Sequence, residues 1–275
     1  MTVRPSPPVR LVATDLDGTF LDADGQVSDL NAKAVHAAAE RGVRMVFATG
    51  RPARWLDVLE PLVPVHPYVI ASNGAVHYDI FTERVTTAHQ VPTADTAAVV
   101  EDLERALPGL LFALEYVDGW GRLSGFPLQG DFAEATVEAD DMGELLRAGQ
   151  AIKLLVLSLG TETVTLMRLV EPIVAGRLDV TFSFVRDSGL LELSAPGVSK
   201  GSALRDLMAE LGLEASQLAA FGDMPNDLSM LELAGHPFAM DNAHPLLLER
   251  GFGRARPHHD SGVGHAMLEL LGLPD

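Results

Sequence analysis

The chain contains no cysteine, which excludes disulfides, thiolate catalysis and zinc–thiolate sites and suits a reducing, cytoplasmic setting. Basic residues are scarce: 20 Lys and Arg stand against 38 Asp and Glu, a formal net charge of -18. A surface of that sign argues against non-specific nucleic-acid binding, and an anionic ligand would have to be drawn in by local basic groups. No apolar run approaches the roughly 20 residues that a membrane helix needs. The opening MTVRPSPPVR is polar and proline-rich, without the apolar stretch of a signal peptide, and reads as a tail before the first strand. Internal repeats are absent, as are a G-x-S-x-G elbow, an H-E-x-x-H pair and a P-loop. An EF-hand reading of DLDGTFLDADGQ fails, because Phe20 or Val27 falls where the loop demands glycine. His258-His259-Asp260 sits in a polar segment with no third histidine near, so it reads as a surface loop.

What is present is ordinary for a globular protein: 275 residues, 47% hydrophobic and 21% charged, enough for one large domain or two smaller ones. Short apolar runs alternate with helical patterns, the texture of parallel β/α units. Strands are expected over 9–15, 43–49, 68–74, 217–223 and 236–240. Helices are expected over 28–42, with Ser28 or Asp29 as N-cap, over 199–212 and 226–235, and in the stretch before residue 68. From about residue 84 the texture changes to further strands at 110–116 and 153–159, helices near 94–107 and 161–175, and a hairpin over 180–195 turning at Asp187-Ser188-Gly189. The simplest arrangement is a discontinuous α/β domain, 1–83 with 194–275, interrupted by an α+β insert at 84–193.

The expected parallel strands end in small or polar residues, and open α/β sheets bind ligands at that edge. Asp15 and Asp17 close the first strand, with Gly18 permitting a tight turn and close approach of backbone amides to an anion. Carboxylates this close repel one another. A strand-end Asp15 can be an ionised nucleophile at neutral pH without help from a base, able to attack phosphorus. Asp17, two residues on, is placed to act as general acid and base. GDMPND puts Asp223 at a second strand end, with Asn226 and Asp227 opening the next helix. Hard oxygen ligands of this kind suit Mg²⁺, which would bridge Asp15 and Asp223 and relieve their repulsion. For phosphate, ATGR offers the Thr49 hydroxyl with Gly50 and Arg51, and GVSKG places Lys200 in the first turn of a helix. SNGA contributes Asn73 in a turn. Leucine, alanine and methionine at 203–211 recur at helical spacing and read as core.

Four motifs in this order, DLDGT (15–19), ATGR (48–51), GVSKG (197–201) and GDMPND (222–227), resemble the haloacid dehalogenase superfamily of phosphohydrolases. The insert between SNGA and GVSKG looks like the type IIB cap of the Cof-like sugar phosphatases, and DNA (241–243) and SGVGHAM (261–267) look like that group's C-terminal part. The resemblance implies a Rossmann-like parallel-sheet core with an inserted α+β cap. It implies a Mg²⁺-dependent phosphomonoesterase, monomeric or homodimeric, acting on a small phosphorylated metabolite, by default a sugar phosphate. Asp15 would be the nucleophile, Asp17 the acid/base, and Thr49, Gly50, Gly18 and Lys200 the phosphate binders. Asp15, the Asp17 carbonyl and Asp223 would hold the metal, with Asn226 and Asp227 close by. Arg51, Asn73, Trp120, Arg122 and Arg186 are candidate substrate contacts. The rival readings are a phosphotransferase or mutase on the same site, and a non-catalytic phosphosugar-binding regulator.

Overall fold

A computed structural model describes residues 9–127 and 137–274; the expected N-terminal tail lies mostly outside the described residues. The chain divides into two compact units, Met1–Thr86 with Ser199–Asp275, and Thr87–Val198, against boundaries expected at 83/84 and 193/194.

The first unit is built on a sheet whose central strands are parallel and buried. Leu11–Thr14 lies between Arg44–Ala48 and Leu218–Gly222, both parallel to it. Tyr68–Ala71 extends the sheet in parallel beyond Arg44–Ala48, and His236–Met240 and Gly253–Ala255 extend it on the other side. Val76–Asp79 turns back antiparallel on Tyr68–Ala71, and Arg84–Ala88 ends the order of eight strands. Strands covered on both faces read as continuous apolar runs, which is why LVAT and LAAFG were legible as core. The helix Asp29–Glu40 starts where Ser28 accepts the amide of Asn31. Lys200–Leu211 starts at a capping box between Ser199 and Ser202 and stops at Gly212 in the left-handed region, φ 64°.

Two expectations are corrected. The stretch before residue 68 is not an α-helix but two 3₁₀ segments, Ala53–Trp55 and Asp57–Val65. Pro61 and Pro64 lie inside the second and withhold the amides an α-helix would need. The 180–195 hairpin does not turn tightly at 187–189. Asp179–Thr181 and Leu190–Ser194 do pair antiparallel, but residues 182–189 form a loop engaged elsewhere. Thr163 donates to the Arg186 carbonyl, and Gly189 donates to the Thr161 carbonyl at 2.7 Å.

The second unit carries a six-stranded sheet, antiparallel apart from its Gly119–Leu123/Val137–Ala139 edge, with helices Thr93–Ala106, Met142–Ala148 and Thr163–Val174. Among the described residues no helix is long and apolar enough to cross a membrane.

Candidate active site

Five parallel strands of the first unit deliver their C-terminal residues to one edge: Asp15, Thr49, Ser72 with Asn73, Asp223, and Asp241 with Asn242. After Asp15 the chain makes a wide turn, closed by the Leu21 amide on the Leu16 carbonyl at 2.9 Å. Gly18 adopts φ 75°, and a Cβ there would stand 2.4 Å from Asp223 Oδ2. Glycine is therefore required twice over, for the backbone conformation and for the approach of the turn to Asp223.

Lys200 is fully buried and its Nζ donates to Asp15 Oδ1 at 2.6 Å and to Asp227 Oδ1 at 2.7 Å. The other oxygen of Asp227 accepts the amides of Asp223 and Met224, each at 3.0 Å. Asp227 thus fixes both the lysine and the loop that presents Asp223. The Thr19 hydroxyl donates to Asp223 Oδ1 at 2.8 Å. At the exposed rim, Arg51 holds Asp17 through both oxygens, Nε to Oδ2 at 2.8 Å and a terminal nitrogen to Oδ1 at 2.6 Å. The Thr49 hydroxyl accepts the Arg51 amide at 3.1 Å, which leaves its own proton to donate elsewhere. Asn226 donates to Asn73 Oδ1 at 3.0 Å, tying two of the strand-end loops together.

Four carboxylates (Asp15, Asp17, Asp223, Asp227) meet two cations (Lys200, Arg51), an excess of two negative charges (4 − 2). Burial pushes the Asp15 carboxyl well above its ordinary range; Lys200 opposes this, and Asp227, Asp223 and Asp17 add to it. Burial, followed by Asp227, pushes Asp223 up to about 7, against the pull of the Thr19 hydroxyl and Lys200. For Lys200, burial alone would favour the neutral amine, but Asp15 and Asp227 outweigh it and hold the ammonium form. Oxygens of Asp15, Asp223 and Asp227 lie within 4.8 Å of one another. A divalent cation fits this donor set in charge and in chemistry, since it matches the excess and takes the place of protons on the two perturbed carboxyls. Asp15 and Asp223 are the better ligands, because both oxygens of Asp227 are already engaged.

The first unit thus contains Asp15, Asp17, Gly18, Thr49, Gly50, Arg51, Asn73, Lys200, Asp223, Asn226 and Asp227 at or beside one sheet edge, apart from Lys200, which reaches it from the helix it opens. Trp120, Arg122 and Arg186 lie in the second unit. Trp120 is buried, edge-on to Phe126 at 5.9 Å. Arg122 donates to the Phe126 carbonyl and pairs with Glu138 at 2.6 Å, and exposed Arg186 stacks over Phe184 at 4.1 Å. Sequence reasoning missed Thr19, Asn31, Asn242 and His258. Thr19 and Asn242 stand inside motifs already singled out, DLDGT and DNA, without being read as site residues themselves. His258 is not the bare surface residue expected: its amide donates to Asn242 Oδ1 at 3.0 Å, and its Nδ1 meets the Leu21 carbonyl at 2.9 Å.

A buried lysine bridging a strand-end aspartate, with further carboxylates from a second strand end, on an open parallel sheet, defines the class. The family model for haloacid dehalogenase-like hydrolases matches residues 12–267, and the chain belongs to that family. It is a phosphatase of the haloacid dehalogenase superfamily. It is 31% identical to an HMP-PP phosphatase of Cronobacter sakazakii over 280 residues, 95% of this chain and 93% of that one. Among solved structures, the phosphatase BT1666 of Bacteroides thetaiotaomicron matches with a TM-score of 0.82 at 24% identity, over 98% of each chain. The haloacid dehalogenase subclass IIB sugar phosphatase BT4131 matches at 0.80 and 18% identity, over 96% of this chain and 99% of that one. The fold is therefore a Rossmann-like core with an inserted α+β cap of the IIB type.

Proposed function

We propose that this phosphatase is a Mg²⁺-dependent phosphomonoesterase that hydrolyses a small phosphorylated metabolite, a sugar phosphate, through an aspartyl-phosphate on Asp15. The observation that carries the reading is Lys200 held at 2.6 Å from Asp15 within a buried group of carboxylates whose charge is not balanced by the protein. One oxygen of Asp15 is engaged by Lys200, which leaves the other to attack phosphorus in line with the ester oxygen. Lys200 and the Thr49 hydroxyl would supply the donors that charge on the transferring phosphoryl group needs. Asp15, Asp223 and the Asp17 carbonyl would hold Mg²⁺, which supplies charge neutralisation between phosphate and carboxylate.

Asp17 would give a proton to the departing alcohol oxygen and then take one from the water that cleaves the acyl phosphate, regenerating Asp15 and releasing inorganic phosphate. Both Asp17 oxygens accept from Arg51, so the pair has to loosen before either carries a proton. The phosphate dianion of an arriving substrate competes for the same guanidinium and supplies a reason for it to do so.

The test is inorganic phosphate release from a panel of sugar phosphates, p-nitrophenyl phosphate and HMP-PP, with Mg²⁺ or with EDTA. Release that requires both Mg²⁺ and Asp15, and that is fastest on a sugar phosphate, is the expected result. Release undiminished by EDTA or by Asp15→Asn overturns the mechanism, and preference for HMP-PP overturns the substrate class.

A further inference from the structure

The turn that carries Asp17 and Gly18 is not a regular helix. Asp17 is extended and Gly18 is left-handed, so the turn's carbonyls do not line up along one helix axis. Three of those carbonyls are taken by side chains distant in sequence. Asn242 Nδ2 donates to Gly18 O at 2.8 Å, Asn31 Nδ2 to Phe20 O at 2.5 Å, and His258 Nδ1 lies 2.9 Å from Leu21 O. A carbonyl only accepts, so the His258 imidazole carries a proton on Nδ1.

These side chains are themselves anchored to the C-terminal segment. Asn242 Oδ1 accepts the His258 amide at 3.0 Å, and Asn31 Oδ1 accepts the Gly264 amide at 2.8 Å. Each amide therefore faces a carbonyl with its nitrogen and an N–H with its oxygen, which fixes its orientation. Gly264 is needed for this approach, since a Cβ there would meet Asn31 Oδ1 at 2.6 Å. Two residues beyond Asn242, the His244 amide donates to the Asp223 carbonyl at 2.7 Å. Residues 242–244 thus touch the turn after Asp15 on one side and the Asp223 loop on the other.

We propose that Asn31, Asn242 and His258 are positioning residues: acting through the carbonyls of Gly18, Phe20 and Leu21, they set the turn that bears Asp17 against Asp223. Water satisfies an exposed carbonyl as well as a side chain does, so hydrogen-bond satisfaction alone does not call for an exposed Asn242. A side-chain donor adds direction: it holds the Gly18–Thr19 peptide plane, and with it the Thr19 hydroxyl that reaches Asp223. The inference rests on the phosphatase reading, in which this turn bears the acid/base and lines the phosphate site.

Asn31 is fully buried, and its variants risk failing to fold, so the experiment uses the two accessible members. Asn242→Asp keeps the shape but sets an acceptor against an acceptor. His258→Leu removes the donor, whereas His258→Asn keeps one. Kinetics with p-nitrophenyl phosphate are combined with thermal melting and amide hydrogen exchange over residues 17–21 in the full-length protein. Asn242→Asp and His258→Leu are expected to lower kcat about 10- to 100-fold with KM changed less than about threefold, the size of effect a small misplacement of reacting groups produces. Exchange at 17–21 rises in both, melting temperature stays near that of the parent, and His258→Asn recovers most of kcat.

Unchanged kcat with unchanged exchange overturns the proposal. So does a kcat loss that merely follows a loss of folded protein. Should the parent protein release no phosphate from any ester, the phosphatase reading fails by itself. Exchange then decides: a selective rise at 17–21 upholds the positioning, and its absence overturns it.

Discussion

Each unit of this protein buries a lysine between two carboxylates, and the two groups differ in what surrounds them. In the first, Lys200 bonds Asp15 and Asp227 at 2.6 and 2.7 Å. In the second, Lys153 lies 2.9 Å from Glu192 and 3.6 Å from Glu115. The second group is set within strands: Glu115 pairs with Lys153 across Leu111–Tyr116 and Ala151–Leu157, and Glu192 comes from Leu190–Ser194 on the other side. Ser183 donates to Glu192 at 2.7 Å, and burial, which alone would lower Lys153, is outweighed by Glu115 and Glu192. The first group gathers at the carboxyl ends of strands, where burial, with the neighbouring carboxylates adding to it, pushes Asp15 and Asp223 up. Under the proposed function, what sets the first group apart is the surplus of carboxylate at a sheet's carboxyl edge, which the Lys153 group lacks.

The sharpest break between the two groups is Asp15→Asn. Phosphate release is expected to fall by at least about a thousandfold, because the proposed nucleophile is gone. Without Mg²⁺ the variant should melt no lower than the parent, since one of four mutually repelling carboxylates has been removed and Lys200 keeps Asp227. The matching change in the other unit, Glu192→Gln, should instead lower the melting temperature, because Lys153 then keeps only the longer contact with Glu115. Calorimetry of both variants in EDTA checks the pair. A large loss of stability in Asp15→Asn would show that the first cluster is a structural brace.

Next in size is Lys153→Met. Removing the shared cation leaves two carboxylates buried without compensation, which typically costs about 3–5 kcal/mol. Urea denaturation should show that loss, with kcat per folded molecule on p-nitrophenyl phosphate within about threefold of the parent, since no transition-state contact is removed. A kcat collapse at unchanged stability would give the second group a part in catalysis.

How far the sequence reaches follows the same division. The first cluster was legible because its members stand in contiguous motifs at strand ends, where Asp15, Thr49, Lys200 and Asp223 each interrupt an apolar or helical pattern. The Lys153 group was not, because Lys153 reads as an ordinary member of KLLVLSL and its partners depend on strand register. The Arg51–Asp17 pair is likewise a product of tertiary structure, joining residues 34 apart. Asn242 and His258 act on backbone carbonyls, which carry no residue identity to recognise. Pro61 and Pro64, by contrast, stood in plain view, and a helix over them conflicted with their missing amides.

The pH dependence of stability should also differ between the groups. Asp223 is raised from 3.8 to about 7, so the folded state holds a proton that the unfolded chain releases. Stability in EDTA is then expected to fall as pH rises from about 4 through about 7, and Asp15, raised by burial in the same cluster, adds to the fall. Saturating Mg²⁺ should flatten that slope, because the cation takes the proton's place, and Mg²⁺ should bind more tightly as pH climbs toward 7. Lys153 is raised, so its contribution is fully present below the ordinary lysine value and is lost only in strong alkali. Melting curves from pH 5 to 8, with and without Mg²⁺, test the slope assigned to Asp223, and Lys153 contributes none over that range. A stability that rises over that range in EDTA would contradict the raised Asp223.

The smallest effect isolates a single hydrogen bond at the edge of the first group. The Thr19 hydroxyl donates to Asp223 Oδ1 at 2.8 Å and is one of the few influences that favour the charged carboxylate. Thr19→Val keeps the shape and removes the donor, so the Asp223 carboxyl is pushed higher still. In EDTA, its protonated form needs no hydroxyl, and stability below pH 6 should change little. Above pH 7 the loss should approach the roughly 1.5–3 kcal/mol of a hydrogen bond to a charged group. Mg²⁺ affinity, measured by calorimetric titration at pH 7, is expected to weaken several-fold, because the carboxylate it requires is less available. Ser183→Ala at Glu192 offers the counterpart in the second unit, with a loss of stability and no change in Mg²⁺ affinity. Equal effects on Mg²⁺ binding from Thr19→Val and Ser183→Ala would erase the distinction between a cluster built around a cation from solution and one that carries its own.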